Sequence, residues 1–243
     1  MNYLFEDIER RSVQSEHRYT WFRSIPENPW DNACTFVMLN PSTADEYRED
    51  PTVRRCWNFA KDWGYGSLYV LNLFTYRSTD PKKLMERWKN DEPLVGSGDS
   101  LGTAEEQMIR CASASNLVVC AWGAIQPAFH LRALEVIETL KPVCELHALR
   151  FTKDGHPCHP LYLPGHLKPV LFETDKYLEQ YRQGEYVVYC KNEFYNTAHA
   201  MSAWPTREEA LKAIDEIIKH PKNADMEDLE NRLFVMEMKK KAD

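Results

Sequence analysis

The sequence has no C-x-x-C pair among its seven cysteines, which are scattered from Cys34 to Cys190. Zinc ribbons and four-cysteine iron–sulfur sites need closely spaced thiols, so neither class has a spacing argument in its favour. An odd, dispersed set lying within apolar runs such as LVVCAW points instead to reduced thiols packed as small hydrophobes. Long apolar runs are also missing. Stretches such as Leu117–Trp122 fall far short of the roughly 20 residues that cross a bilayer. The opening MNYLFEDIERR mixes acidic and apolar side chains and has no small-residue cleavage site, so it does not read as a signal peptide, and a cytoplasmic protein is expected. Positive charge is not in excess either: the formal net charge is −7, which counts against tight nonspecific DNA binding. Repeats and low-complexity tracts are absent, which excludes solenoid and linker readings.

What is present suffices for a real core: 43% of the 243 residues are hydrophobic and 12% aromatic. The length favours one domain with an appendage, or two unequal domains. CTFVMLN (34 to 40), SLYVLNLFT (67 to 75), NLVVCAWG (116 to 123) and CELHAL (144 to 149) read as four buried strands. Helices are expected between them. Asp50-Pro51 opens one over 51 to 63, Asp80-Pro81 a short one, and a Thr103/Glu106 capping box one to about Ser113; Leu131, Leu134, Ile137 and Leu140 mark another. Residues 91 to 100 read as a loop. Strands alternating with helices predict a three-layer α/β sandwich with a four-stranded, mostly parallel sheet over residues 1–173, whose ligands lie beyond the carboxyl ends of the strands. From 174 to 243 the pattern changes to a small α+β extension. It comprises a hairpin in EYVVYCKNEFYNTAHAMSAW, a helix from a Thr206/Glu209 cap to His220, and a last charged helix around 225 to 240.

Several polar residues fall at the predicted strand ends. Asn40, before Pro41-Ser42, either caps a turn or faces the crevice. Asn72 is an amide inside an apolar strand, and burying it unpaired costs roughly 1–3 kcal/mol, so it bonds to backbone or to a ligand. Asp45, Asp50 and Asp80 lie near strand ends or helix starts; capping accounts for Asp50 and Asp80, and Asp45 stays open. Phe74 and Trp57 are aromatics placed to stack on a ligand or to fill the core. His156, Cys158 and His159 share one short turn and could hold a metal on paper, but with no evident fourth ligand a metal is not expected; the α/β fold expected here needs no organic cofactor either. Arg54, Arg55, Arg77, Lys82, Lys83 and Lys168 are candidates for a small basic rim, or are ordinary solvated charges.

VMLNPST, VLNLFTYR, VVCAWGA and HPCHPLYL, in that order and spacing, resemble the strand-end motifs of the uracil-DNA glycosylase superfamily over about residues 30 to 170. With NPSTAD and GHPCHPLYL, the set also resembles an uncharacterised bacterial and phage family, from which no activity is carried over. The superfamily resemblance implies a fold of that type, a DNA partner and no membrane partner. It implies that Asn40 orients the attacking water, that Asn72 reads the Watson–Crick edge of a flipped base with Pro41 and Phe74 beside it, and that His159 donates to the base carbonyl. His156 is the competing register for that histidine, and Asp45, Asp50 and Asp80 are candidates to take over water activation from Asn40, with helix capping the simpler reading of Asp50 and Asp80 and Asp45 left as the open catalytic candidate. Leu161, Tyr162 or Leu163 then supplies the wedge that fills the gap left by the base. Arg54, Arg77 and Lys168 are the implied phosphate contacts, and Trp122-Gly123 is structural. The family's loop has His-Pro-Ser-Pro-Leu-Ser; here its second Ser is absent and an extra His intervenes. Where uracil-specific members carry a bulky Tyr after the first motif, this chain has Ser42, which admits larger bases. The expected activity is hydrolysis of the N-glycosidic bond of a 5-substituted or hypermodified pyrimidine, as in phage DNA, with a role in defence. A nucleosidase or transferase acting on free nucleotides, and a non-catalytic binding module, are the alternatives.

Overall fold

The computed structural model describes residues 16–29, 31–42, 50–90 and 92–181, the backbone of strands 186–192, 197–204 and 233–237, and residues 211, 212 and 215. It divides into two compact units, one formed by the described residues up to Ile125 with Glu135–Thr174, the other by Gln126–Leu134 with the described residues from Asp175 onward.

The first unit is built on the strands β1 (Trp21–Ser24), β2 (Ala33–Met38), β3 (Ser67–Asn72), β4 (Leu117–Cys120), β5 (Leu146–Ala148) and β6 (Val170–Leu171). Their order in the sheet is β1-β3-β2-β4-β5-β6. The four strands expected from sequence form its parallel centre, β3-β2-β4-β5, but the sheet is six-stranded and mixed, not four-stranded and mostly parallel. β1 pairs antiparallel with β3, and β6 antiparallel with β5. Both edge strands are too short to carry a period-2 signal, and both residues of β6 are exposed.

The helices begin where local chemistry dictates. Asp50 caps α1 (Pro51–Asp62), its Oδ1 accepting from the amides of Thr52 at 2.7 Å and Val53 at 3.4 Å, with Pro51 in the first turn. Val53, Cys56, Phe59 and Ala60 form the buried stripe of that helix. They lie on one face of the sheet, against Cys34, Phe36 and Met38 of β2, Leu68 and Val70 of β3, and Leu117 and Val119 of β4. Asp80 caps α2 (Pro81–Lys89). α3 (Ala104–Ser113) opens with the full Thr103/Glu106 capping box and lies towards the opposite face, where the Thr35 and Ser115 hydroxyls meet at 2.7 Å. α4 spans His130–Leu140. Among the described residues, no helix is long and apolar enough to cross a membrane.

In the second unit, α5 (Thr174–Tyr181) carries Tyr177 and Tyr181, whose rings lie 4.6 Å apart, and His130 meets Tyr181 edge-on at 4.4 Å. The hairpin expected from sequence is present, as β7 (Tyr186–Asn192) antiparallel to β8 (Thr197–Trp204). The last charged helix is corrected: Leu233–Glu237 form β9 and pair antiparallel with β7. Leu233 to Met236 are four consecutive apolar residues, a run too short for its period to tell strand from helix, and pairing with a distant strand decides between them. Of the Thr206/Glu209 helix, only Leu211, Lys212 and Asp215 are among the described residues, and they are helical.

Candidate functional site

β3, β2 and β4 are neighbours and parallel, so their carboxyl ends share one rim of the sheet. At the first two ends Met38 stands opposite Asn72, and pairing continues one step further, the amides of Leu73 and Phe74 donating to the carbonyls of Met38 and Leu39 at 2.8 and 2.9 Å. Asn40 follows directly. Its Nδ2 donates to the Ser78 carbonyl at 2.8 Å and the Pro41 carbonyl at 3.2 Å, and the Ser78 amide donates back to the Pro41 carbonyl at 2.8 Å. The amide nitrogen thus clips the turn at 40–42 to the segment after β3. Oδ1 bonds to no described residue and is left as an acceptor held in a fixed direction.

Asn72 is spent differently. It continues the Leu68–Val70 side of β3, the side covered by α1, and is only 4% exposed. Its side-chain amide makes no hydrogen bond with any described residue. The amide is not fully enclosed, so at the strand end it stays within reach of water or of a ligand.

At the end of β4 the Ala121 amide donates to the Val37 carbonyl at 2.8 Å, and Gly123 turns the chain with φ +78°. Its amide donates to the Pro157 carbonyl at 2.8 Å, and a Cβ at Gly123 would lie 3.2 Å from Cβ of His159. The missing side chain is what lets the histidine loop approach the strand end. His159 caps a short 3-10 turn, Pro160–Tyr162, its Nδ1 accepting from the Leu161 amide at 3.4 Å. Accepting at Nδ1 fits a neutral ring with its donor at Nε2. Burial lowers the His159 pKa below its usual 6.5, and the Asp50 carboxylate partly offsets that shift. His156 lies deeper, 3% exposed, inside a turn in which the Thr152 amide donates to its carbonyl and its own amide donates to the Thr152 hydroxyl.

The remaining candidates divide by exposure. Pro41 and Phe74 are buried beside the two asparagines, and Ser42 is half-buried, its carbonyl accepting from Arg77 Nε at 3.4 Å. Tyr162 projects from the turn, 89% exposed, while Leu161 is half-buried. Leu163 packs against the core and its carbonyl accepts from the Arg55 guanidinium. Arg54 and Lys168 are exposed. Trp57 faces away from the strand ends, with the cations of Arg23 and Lys61 over its ring at 5.4 and 4.9 Å. Asp45 lies outside the described residues.

Sequence reasoning missed Arg18, which is 7% exposed. Backbone bonds from Arg18 to Thr75 and from Arg77 to Glu16 bracket a His17–Tyr76 bridge, so the two arginines are diagonal neighbours on one side of a short ribbon. Burial first, and then Arg77, push the Arg18 pKa down to about 10, against the opposing pull of Asp50. Nothing in the sequence around Arg18 marks a strand. Six described cysteines are free; burial raises Cys111 to about 11 and lifts Cys34, Cys56 and Cys120 as well, which leaves these thiols unreactive. Among the described residues no three His, Cys, Asp or Glu side chains are grouped to hold a metal ion.

No curated protein and no solved structure matches the chain. A family model does match, over residues 18–161, a span running from Arg18 through the histidine loop. By that match, which covers more than half of its length, the chain belongs to the family described as Protein of unknown function (DUF1643).

Proposed function

We propose that this protein is a cytoplasmic DNA glycosylase of the uracil-DNA-glycosylase type, hydrolysing the N-glycosidic bond of a flipped, 5-substituted or hypermodified pyrimidine, with a role in defence against phage. The observation that carries the reading is Asn72, an almost wholly buried amide with no described partner at the carboxyl end of a central parallel strand. An amide offers a donor and an acceptor side by side, which is what the Watson–Crick edge of a pyrimidine takes. His159 Nε2–H then donates to the base carbonyl as charge collects there. A neutral ring suits that task because it is already a donor at neutral pH. Asn40 Oδ1, fixed by the two bonds of its nitrogen, orients water towards the sugar. Ser42 leaves room at the pyrimidine 5-position, and Tyr162, the most exposed residue of the turn, fills the stack behind the extruded base. Arg54, Arg77 and Lys168 contact phosphates.

The test is release of base from duplexes carrying uracil, hydroxymethylcytosine or glucosylated hydroxymethylcytosine, read as alkali-labile abasic sites. Release from the modified duplexes is expected, reduced by about 10²–10³-fold in folded Asn72→Ala and His159→Ala proteins. Activity confined to plain uracil rejects the substrate class, and no release from any duplex rejects the glycosylase. The net charge of −7 favours one competitor, hydrolysis or transfer on a free nucleotide, and turnover of nucleosides but not duplexes would establish it.

A further inference from the structure

An asparagine at position 40 leaves the proposed reaction without a negative charge: an amide neither accepts the water's proton nor offsets the positive charge that grows on the sugar. Asp50 is placed to do both. The chain leaves β2 and reaches α1 at Asp50, while the other end of α1 lies back along the strands, Trp63 stacking on Phe36 at 6.0 Å. The Asp50 end of α1 is therefore at the same rim as Asn40 and Asn72. Helix α1 packs against the 3-10 turn that His159 caps, so the two capping residues belong to touching elements. Helix capping uses only one oxygen of Asp50: both amide bonds fall on Oδ1, and Oδ2 bonds to no described residue. The field of the carboxylate reaches His159 and Arg18, and it opposes the fall in pKa of each.

We propose that Asp50 has two roles, one oxygen holding the helix and the other supplying the carboxylate of the active site. The inference rests on the glycosylase reading. In the reaction the bond between C1′ and the base nitrogen breaks, and its electron pair leaves with the base, whose carbonyl is held by His159 Nε2–H. Water oriented by Asn40 Oδ1 forms the new bond to C1′. Its proton passes to Asp50 Oδ2 and on to solvent, and the departed base takes a proton from solvent. Until that transfer the ionised carboxylate stabilises the cationic sugar.

Asp50→Asn separates the roles, because asparagine caps a helix about as well as aspartate but carries no charge. The expected result is a melting temperature close to that of the wild type, with kcat for abasic-site formation lower by about 10²–10³-fold and KM within about threefold. Losing a negative charge does not weaken attraction to DNA, so the fall in kcat is not a binding defect. The His159 ring, followed by NMR, should titrate at lower pH in Asp50→Asn, a shift that a residue acting only as a cap would not produce. Undiminished kcat in a folded Asp50→Asn protein, or an unmoved His159 titration, overturns this role and leaves the glycosylase standing. A wild-type protein inert on every duplex overturns both.

Discussion

Asn40, Asn72 and His159 occupy adjoining strand ends, yet the structure commits their polar atoms very differently. Asn40 gives its nitrogen to the Ser78 and Pro41 carbonyls, His159 gives Nδ1 to the Leu161 amide, and Asn72 gives nothing to any described residue. Burial has a measurable consequence for the histidine. Both His159 and His17 have pKa values lowered from 6.5, chiefly by desolvation. Between the lowered and the ordinary value the unfolded chain binds more protons than the folded one. The stabilising contribution is therefore full above pH 6.5 and is lost as pH falls through that interval. Melting temperature should drop on acidification from pH 7 towards 5.5, and a folded His159→Gln protein should drop less steeply over the same range. An identical slope in the two proteins would show that His159 takes up its proton equally in the folded and unfolded chains, so that folding does not lower its pKa. At this scale the sequence marked residues whose type and neighbours were informative, such as an amide within SLYVLN or a histidine before Pro160. Asp50 was legible as a cap, but a letter does not say which of two oxygens the cap uses. Arg18 was not legible at all, because its burial comes from a partner ribbon near Tyr76.

Helix starts were readable because their determinants are contiguous: Asp-Pro for α1 and α2, and the Thr103/Glu106 box for α3. β1, β6 and β9 have two to five residues each, and their strand character comes from β3, β5 and β7, far away in sequence. Between elements, α1 holds the segment after the histidine turn at two points. Arg55 donates to the Leu163 carbonyl while lying over Phe59 at 4.8 Å, and Trp63 Nε1 donates to the Leu167 carbonyl at 3.1 Å. Arg55→Ala removes the first hold, and Arg55→Lys restores only part of it because an ammonium lacks the planar fork that stacks and bonds together. Hydrogen exchange should quicken across 161–167 in Arg55→Ala while β2, β3 and β4 keep their protection; unchanged exchange across 161–167 would show that the hold is redundant.

For the whole molecule, the parallel centre of the sheet was legible as four buried runs, and its antiparallel borders were not. Net charge also acts at this scale. With −7 overall, and Arg54, Arg77 and Lys168 as the phosphate contacts of the proposed function, few counterions would leave on binding DNA, so affinity should fall gently with salt. Three phosphate contacts give a slope of log affinity against log salt of roughly −3, measurable by fluorescence anisotropy across a potassium chloride series. A slope several times steeper would require a basic surface elsewhere on the protein.

The connection from Ala148 to Val170 has both ends fastened side by side, since β6 pairs with β5, and the imidazole rides near its middle. During synthesis the asparagines join a sheet whose strands have already emerged, whereas the far end of the histidine's connection is fastened by a two-residue strand made more than 20 residues after β5. A nascent chain halted before Val170 would thus contain every polar group of the proposed site, its loop tied at Gly123, Arg55 and Trp63 but open at one end, so that the last border strand sets how firmly the imidazole is held.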